Sequence, residues 1–549
     1  MGRLQLKPIL TWSSFYPGRP LSEDPLKYFR DFELDDVVNI LIWVKGSMIN
    51  PEFYSDFARS LTNRMDPYKK MRIEQALMDS AITNPIVIDR ILVEVFRTHS
   101  CKTSDRNVDE AGFEDQLFDL ILYFNDVHYE THMLPLEGGS IESMWALALG
   151  QAWTGLDNVD YVRTANIKYL IFLNFLRKHF GKNFEHIENS FKERTKLSGF
   201  NNVFQTVIRF YLTTETGAGS KQVNPNFAPE LCKDLEQLGM VVDQEELPDP
   251  NFTIGQLAAR PYYKSKGNIF VISRSNFAFA LEKSWPFFLY QNSDLKNFLP
   301  GKGKYNDFQA LIGKDYIEDH YLNPLFSSLS KPGFRWIRPT ETYMPDGCYV
   351  INESTVVLFE FKSSPLHFNV IAEQNLQGLK KFLDENFAAG KKGAPQLANA
   401  VKHLSASSQT AYEIKTPVNK ITVYPVIIYT DMNLGMLGVN DYVDQHFQNK
   451  LGNDGGPFKQ VMPLTMVHAD FFTENLLLFE KDRSLFKESL DQYLKYRRKK
   501  LASYAKTDAA SDYLAAHYQF NRYVLGYKLL YRVPQIDVFR NLIKVFGLK

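Results

Sequence analysis

Residues 344–364 read MPDGCYVINESTVVLFEFKSS, and two β-rich runs in them, Cys348–Ile351 and Thr355–Phe361, flank Asn352-Glu353-Ser354. Runs of branched and aromatic residues on either side of a short polar stretch predict a hairpin. A turn centred on Glu353 pairs residues whose numbers sum to 706, which sets Asp346 opposite Glu360. Opposed strand residues project to one face with Cβ atoms roughly 5 Å apart, so the two carboxylates are expected to converge. The same alternation puts Lys362 on the face of Glu360 and turns Phe359 and Phe361 to the other side, toward a helical core.

Two converging carboxylates repel unless something neutralises them. A hard divalent cation, Mg²⁺ or Mn²⁺, suits that oxygen-rich arrangement, completed by a backbone carbonyl and water. Such an ion polarises a phosphoryl oxygen and lowers the pKa of bound water, while an adjacent lysine orients that water or offsets transition-state charge. The combination is the equipment of phosphodiester hydrolysis. The short patterns carry little alone, since Pro-Asp recurs at Pro248-Asp249 and Glu-x-Lys at Glu413-Ile414-Lys415. Only at Glu360 does the pattern end a strongly apolar strand with a matching partner upstream.

Pro345-Asp346, thirteen residues, then Glu360-Phe361-Lys362 resembles the signature of the PD-(D/E)xK, or restriction-endonuclease-like, nuclease superfamily, over roughly residues 301–480. The resemblance implies an α/β nuclease domain: a mixed central sheet flanked by helices, with the motif hairpin in its middle. It implies Asp346 and Glu360 as ligands of Mg²⁺ or Mn²⁺ and Lys362 as the catalytic lysine. It also implies an acidic residue from the preceding helix, for which Glu318 stands at a suitable distance upstream, on a helical face with Leu311, Leu322 and Leu325. A glutamine in a following helix is common among such proteins, which makes Gln396, just after Gly393-Ala394-Pro395, a further candidate. The function implied is a metal-dependent endonuclease in restriction, genome defence or repair, with DNA ahead of RNA as substrate. Ser363 and Ser364 close the strand and either touch phosphate or satisfy a turn.

Working outward, 549 residues exceed one ordinary core, and 44% hydrophobic with 14% aromatic residues exclude a mostly disordered chain. Residues 1–215 carry helical spacing, as in PIVIDRILVEVFR and ANIKYLIFLNFLRKHF. Residues 216–300 form a small α/β module with a hairpin about Lys266–Asn268, residues 301–480 the nuclease-like domain, and 481–549 a helical C-terminal region. Sixty-three basic and 63 acidic residues balance, so a polyanion partner must be held by a local patch. Cys101, Cys232 and Cys348 offer neither a disulfide framework nor paired zinc ligands, which fits a cytoplasmic protein. No apolar stretch approaches the ~20 residues that span a bilayer, so no membrane partner is expected.

Three further patterns carry expectations of their own. Lys495, Arg498 and Lys499, with Lys506, share one face of a helix whose other face holds Leu490, Leu494 and Leu501; the basic stripe is a candidate nucleic-acid contact. His128 and His132 stand four apart on a helix without a third ligand and read as helix-surface histidines rather than a zinc site. Gly217–Lys221 and Gly301–Lys304 resemble phosphate loops but lack the Walker spacing. The rival to a nuclease is a catalytically inactive scaffold of the same fold, whose helical regions bind nucleic acid or a protein partner.

Overall fold

The computed structural model describes residues 9–49, 58–83, 85–132, 144–145, 149, 161–203, 206, 222–223, 229–273, 284–338, 344–407, 412–452, 456–507, 509–527 and 535–548. The chain divides into two compact units rather than four contiguous regions. The first comprises residues 1–135, 150–166 and 182–297, the second 136–149, 167–181 and 298–549. The loop expected at 217–221 lies outside the described residues.

In the first unit, helices Leu34–Ile49 and Pro85–Thr98 pack together through an apolar interface. That interface also buries the Lys45 Nζ to Asp89 Oδ1 ion pair at 2.9 Å. Four strands follow: β1 Gln222–Val223, β2 Val241–Asp243, β3 Tyr262–Ser265 and β4 Asn268–Val271. The hairpin expected about Lys266–Asn268 forms, with β3 and β4 antiparallel and Tyr263 opposite Phe270. Lys266 and Gly267 take positive φ at its tip, as a tight turn of that hand requires. The buried Asp35 carboxylate accepts hydrogen bonds from Tyr263 Oη, Ser265 Oγ and Gln244 Nε2, which offsets its desolvation.

The second unit is built on a mixed sheet. Its strands are β5 Phe334–Ile337, β6 Gly347–Ile351, β7 Thr355–Lys362, β8 Thr422–Tyr429, β9 Gln460–Val461 and β10 Thr465–His468. The order is β10-β8-β7-β6-β5, with β9 also on β8. β5, β6 and β7 run antiparallel; β8 is parallel to β7, and β9 and β10 are parallel to β8. The β6–β7 register pairs Gly347 with Phe359 and Cys348 with Leu358, the sum of 706 read from the sequence. Asn352 and Glu353 take left-handed φ of 47° and 59° to close the turn. Arg335 on β5 pins that turn through an ion pair to Glu353 at 2.9 Å.

Every residue of β7 is buried, so the sheet is covered on both faces. On one side Phe359 and Phe361 stack against Phe326, whose ring lies 5.1 and 5.9 Å from theirs. Phe472 and Phe486, from helices Asp470–Lys481 and Ser484–Thr507, complete this aromatic layer. Helix Ala394–Ser407 also packs on β7 and β8. The described residues between 470 and 546 lie mostly in helices, in keeping with the helical C-terminal spacing.

Gly347, next to Asp346, is required for packing. A β-carbon there would collide with the Trp336 ring, which stacks on Phe326 and Phe361. Gly347→Ala is therefore expected to lower stability by about 1–3 kcal/mol, as overpacking of a filled core does. Denaturant unfolding with an unchanged slope and a lower midpoint is the expected result; an unchanged midpoint would show that Trp336 yields freely.

Candidate active site at the end of strand β7

Asp346 leaves the ladder one residue before β6 begins, and its carboxylate replaces a backbone acceptor. Phe361 N–H donates to Asp346 Oδ2 at 2.6 Å, which fixes the aspartate against the end of β7. Glu360 and Lys362 lie on the same face of that strand by alternation. Lys362 Nζ donates to Glu360 Oε1 at 2.6 Å, with both side chains almost fully buried. Glu360 Oε2 is buried and finds no hydrogen-bond donor among the described residues.

Burial pushes the Glu360 carboxyl up from its ordinary value of 4.5 to about 8, and the neighbouring Asp346 charge adds to the rise. Lys362 acts in the opposite sense, favouring the carboxylate. The two carboxyls therefore share a site in which either a proton or a cation must offset their charge. The folded chain keeps a proton on Glu360 through a range where the unfolded chain has already released it. That contribution to stability is full below the ordinary glutamate value and is lost as pH rises toward about 8. Without divalent metal, melting temperature is expected to fall between about pH 5 and pH 8 in the parent relative to Glu360→Gln, which cannot titrate. Parallel melting curves of the two proteins across that range would remove Glu360 as the titrating group.

Glu318 comes from a helix whose winding the sequence did not reveal. The helix starts at Tyr305–Leu311, passes into a π-wound segment Ile312–Leu322, and resumes as Asn323–Ser328. In the π-wound segment the backbone bonds span five residues, as from Asn323 N–H to the Glu318 carbonyl. Insertions of this kind recur at functional sites because they turn side chains off the regular face. Leu311, Leu322 and Leu325 are buried, and Glu318 sits half-buried. Burial raises its carboxyl; Lys314, its ion-pair partner one turn earlier, opposes that rise, and the Asp346 charge reinforces it. The start of this segment meets the strand end directly, since a β-carbon at Gly313 would lie 2.8 Å from Ser363 Oγ.

The structure thus brings Asp346, Glu360 and Lys362 together, with the Asp346 charge felt at Glu318. It does not join Gln396 to them: that side chain is half-buried on helix Ala394–Ser407, and no hydrogen bond links it to the cluster among the described residues. Among the described residues no three of His, Cys, Asp and Glu form a ready metal-binding group, so any ion here would rest on the carboxylate pair with backbone and water oxygens.

Residues missed in the sequence stand along the same edge. Lys362, Tyr429 and His468 are in-register neighbours at the carboxyl ends of three parallel strands. Such an edge is where ligands bind in open α/β sheets. His468 Nε2 faces the Thr430 carbonyl at 3.0 Å, and Asp470 N–H donates to His468 Nδ1 at 3.2 Å. A carbonyl only accepts, so Nε2 carries a proton toward Thr430, and the Asp470 carboxylate also lies 3.7 Å from Nδ1. Asp431 ties the loops after β7 and β8, its Oδ2 accepting from Leu366 N–H at 2.7 Å and its Oδ1 from Asn433. A polar cluster just after an apolar strand, as in MVHAD at 466–470, was the available signal.

The other expectations resolve separately. Lys495 and Arg498 border a cleft, whereas Lys499 is exposed beyond its lining, and Leu501 is 40% exposed rather than packed. His128 is buried, not on the helix surface; the His132 side chain lies outside the described residues. At Gly301–Lys304 the amides of Lys302 and Lys304 donate to Asp307 Oδ2, so they do not form an open phosphate cradle. Glu413 is held in an exposed ion pair with Arg335, far from the strand-end arrangement of Glu360. No described helix is long and apolar enough to cross a membrane. The chain matches no family model, no curated protein and no solved structure.

Proposed function

We propose that this protein is a metal-dependent nuclease that hydrolyses nucleic-acid phosphodiester bonds at the end of β7. The observation that carries the reading is the end of the hairpin: its register closes at Gly347 opposite Phe359, Asp346 just before it accepts from the Phe361 amide, and Lys362 donates to Glu360. The residues fit a hard cation: Glu360 Oε2 is a buried oxygen with no donor among the described residues, and Asp346 stands close enough to raise the Glu360 carboxyl. Asp346 and Glu360 would hold Mg²⁺ or Mn²⁺, with Glu318 contributing through water. When bound, the ion would supply Lewis-acid polarisation of the scissile phosphate and a more acidic water.

The chain's own groups have distinct tasks in this reading. Phe361 N–H holds Asp346 in place, so the ligand oxygen does not depend on a flexible rotamer. Glu360 gives up its proton as the site fills, which makes binding tighter toward alkaline pH. Lys362, buried and bonded to Glu360, presents a compact positive charge that can orient the attacking water or offset charge on the phosphorane. Phe359 and Phe361 anchor the opposite face and keep the strand end rigid.

Labelled DNA and RNA, duplex and single-stranded, incubated with Mg²⁺, Mn²⁺ or EDTA test the reading. Cleavage of at least one class with metal and none in EDTA is the expected result. Binding without cleavage of any class would favour an inactive scaffold of the same fold.

A further inference from the structure

A second surface lies at the opposite end of the same sheet. Thr355, Thr422 and Gln460 are the first residues of β7, β8 and β9 and pair in one row. They floor a cleft of about 500 Å³ walled by helix Ser484–Thr507. Lys487, Asp491, Lys495 and Arg498 face it from that helix at spacings of four, four and three, one helical face. Lys420 and Lys459 close the other side.

The lining holds five cations against one carboxylate, in a chain whose charges balance overall. That carboxylate is already satisfied: Asp491 accepts from Lys487 Nζ at 2.7 Å and from Tyr424 Oη at 2.6 Å. Lys420, Lys459, Lys495 and Arg498 are exposed and make no ion pair among the described residues. Four like charges gathered around one cleft repel, and an anion relieves that repulsion. From Lys487 to Arg498 the stripe runs roughly 16 Å along the helix axis at 1.5 Å per residue. That length matches the axial rise of about five nucleotides in a duplex strand, far more than one phosphate occupies.

Thr355 and Lys362 are at opposite ends of β7, roughly 23 Å apart at strand spacing, so this cleft cannot hold the phosphate undergoing reaction. We propose that it is a second contact for the phosphodiester backbone of a polynucleotide, making the chain a binder of polymer rather than of mononucleotides or free phosphate. The proposal rests on nucleic acid being the partner, as in the preceding section. It is read by binding alone, so it stands or falls without any cleavage.

The test is fluorescence anisotropy of labelled duplex and single-stranded oligonucleotides with the full-length protein in EDTA, across a salt titration. Lys459→Glu with Arg498→Glu is expected to weaken binding roughly tenfold or more at low salt. It should also flatten the slope of log affinity against log salt by about one for each phosphate no longer neutralised. Lys420→Gln with Lys459→Gln, milder at exposed positions, should move both readouts in the same direction with an unchanged melting temperature. Inorganic phosphate at matched ionic strength should compete no better than chloride. Unchanged affinity and slope in both variants, efficient displacement by phosphate, or no oligonucleotide binding by the parent protein would each overturn the proposal. Metal-dependent cleavage by the same preparation would leave the nuclease reading intact in any of those cases.

Discussion

Asp346→Asn and Glu360→Gln are each expected to reduce cleavage by on the order of 10³-fold while the protein stays folded. Both replacements keep the shape and the hydrogen-bond acceptor. The amide oxygen of an asparagine at 346 could still take the Phe361 N–H, and a glutamine at 360 could still accept from Lys362. What disappears is negative charge from a pair of carboxyls in which the Asp346 charge raises the Glu360 carboxyl. Metal-free stability should hold or rise, because the like-charge repulsion goes with the charge. Single-turnover cleavage measured beside thermal unfolding separates these effects. Full activity in either variant would remove that residue from the site.

Lys362→Ala has a different expected signature. Its turnover should fall by ~10²-fold or more, the scale of losing a positioned electrostatic group, while Mn²⁺ still binds. Unlike the carboxylate variants, it should lose stability without metal. Lys362 and Glu360 are both buried, and removing the lysine leaves an ionised Glu360 uncompensated, which typically destabilises by about 3–5 kcal/mol, so the loss should appear as pH rises above about 8. Mn²⁺ should therefore raise the melting temperature of Lys362→Ala by more than it raises that of the parent. Lys362→Arg should not restore turnover, since a planar guanidinium cannot sit at one point in a cavity built for an ammonium. Calorimetric Mn²⁺ titration with single-turnover kinetics decides the matter. Lost metal binding would make Lys362 structural, and near-normal turnover would take it out of the mechanism.

How far the sequence could be read follows from which interactions are local. The β6–β7 hairpin was legible to its register because turn, alternation and the two aromatic positions of β7 all lie within twenty-one residues. The helical C-terminal run was legible in its periodicity, whereas the mixed sheet was expected only from the resemblance that the hairpin motif carries. The winding of 312–322 was not legible, because a π turn leaves no distinct composition. Lys495 and Arg498 were visible as a helical stripe, but Lys420, Lys459 and Lys487 were not recognisable as their neighbours. Only strand pairing at Thr355, Thr422 and Gln460 brings those segments together. The histidine at 468 had no motif around it, and its place one strand beyond Tyr429 from Lys362 depends on two parallel pairings that bridge distant segments of the chain.

The central claim is that Asp346 and Glu360 form one divalent-cation site whose glutamate must shed a proton to be filled. Calorimetric titration of Mn²⁺ in buffers of different ionisation enthalpy measures affinity and proton release together. The account predicts about one ion per chain, with nearly one proton released at neutral pH and little above pH 9, following the Glu360 carboxyl raised to about 8. It also predicts loss of that binding in Asp346→Asn with Glu360→Gln. Equal Mn²⁺ binding by the double variant, or proton release that does not change with pH, would contradict it.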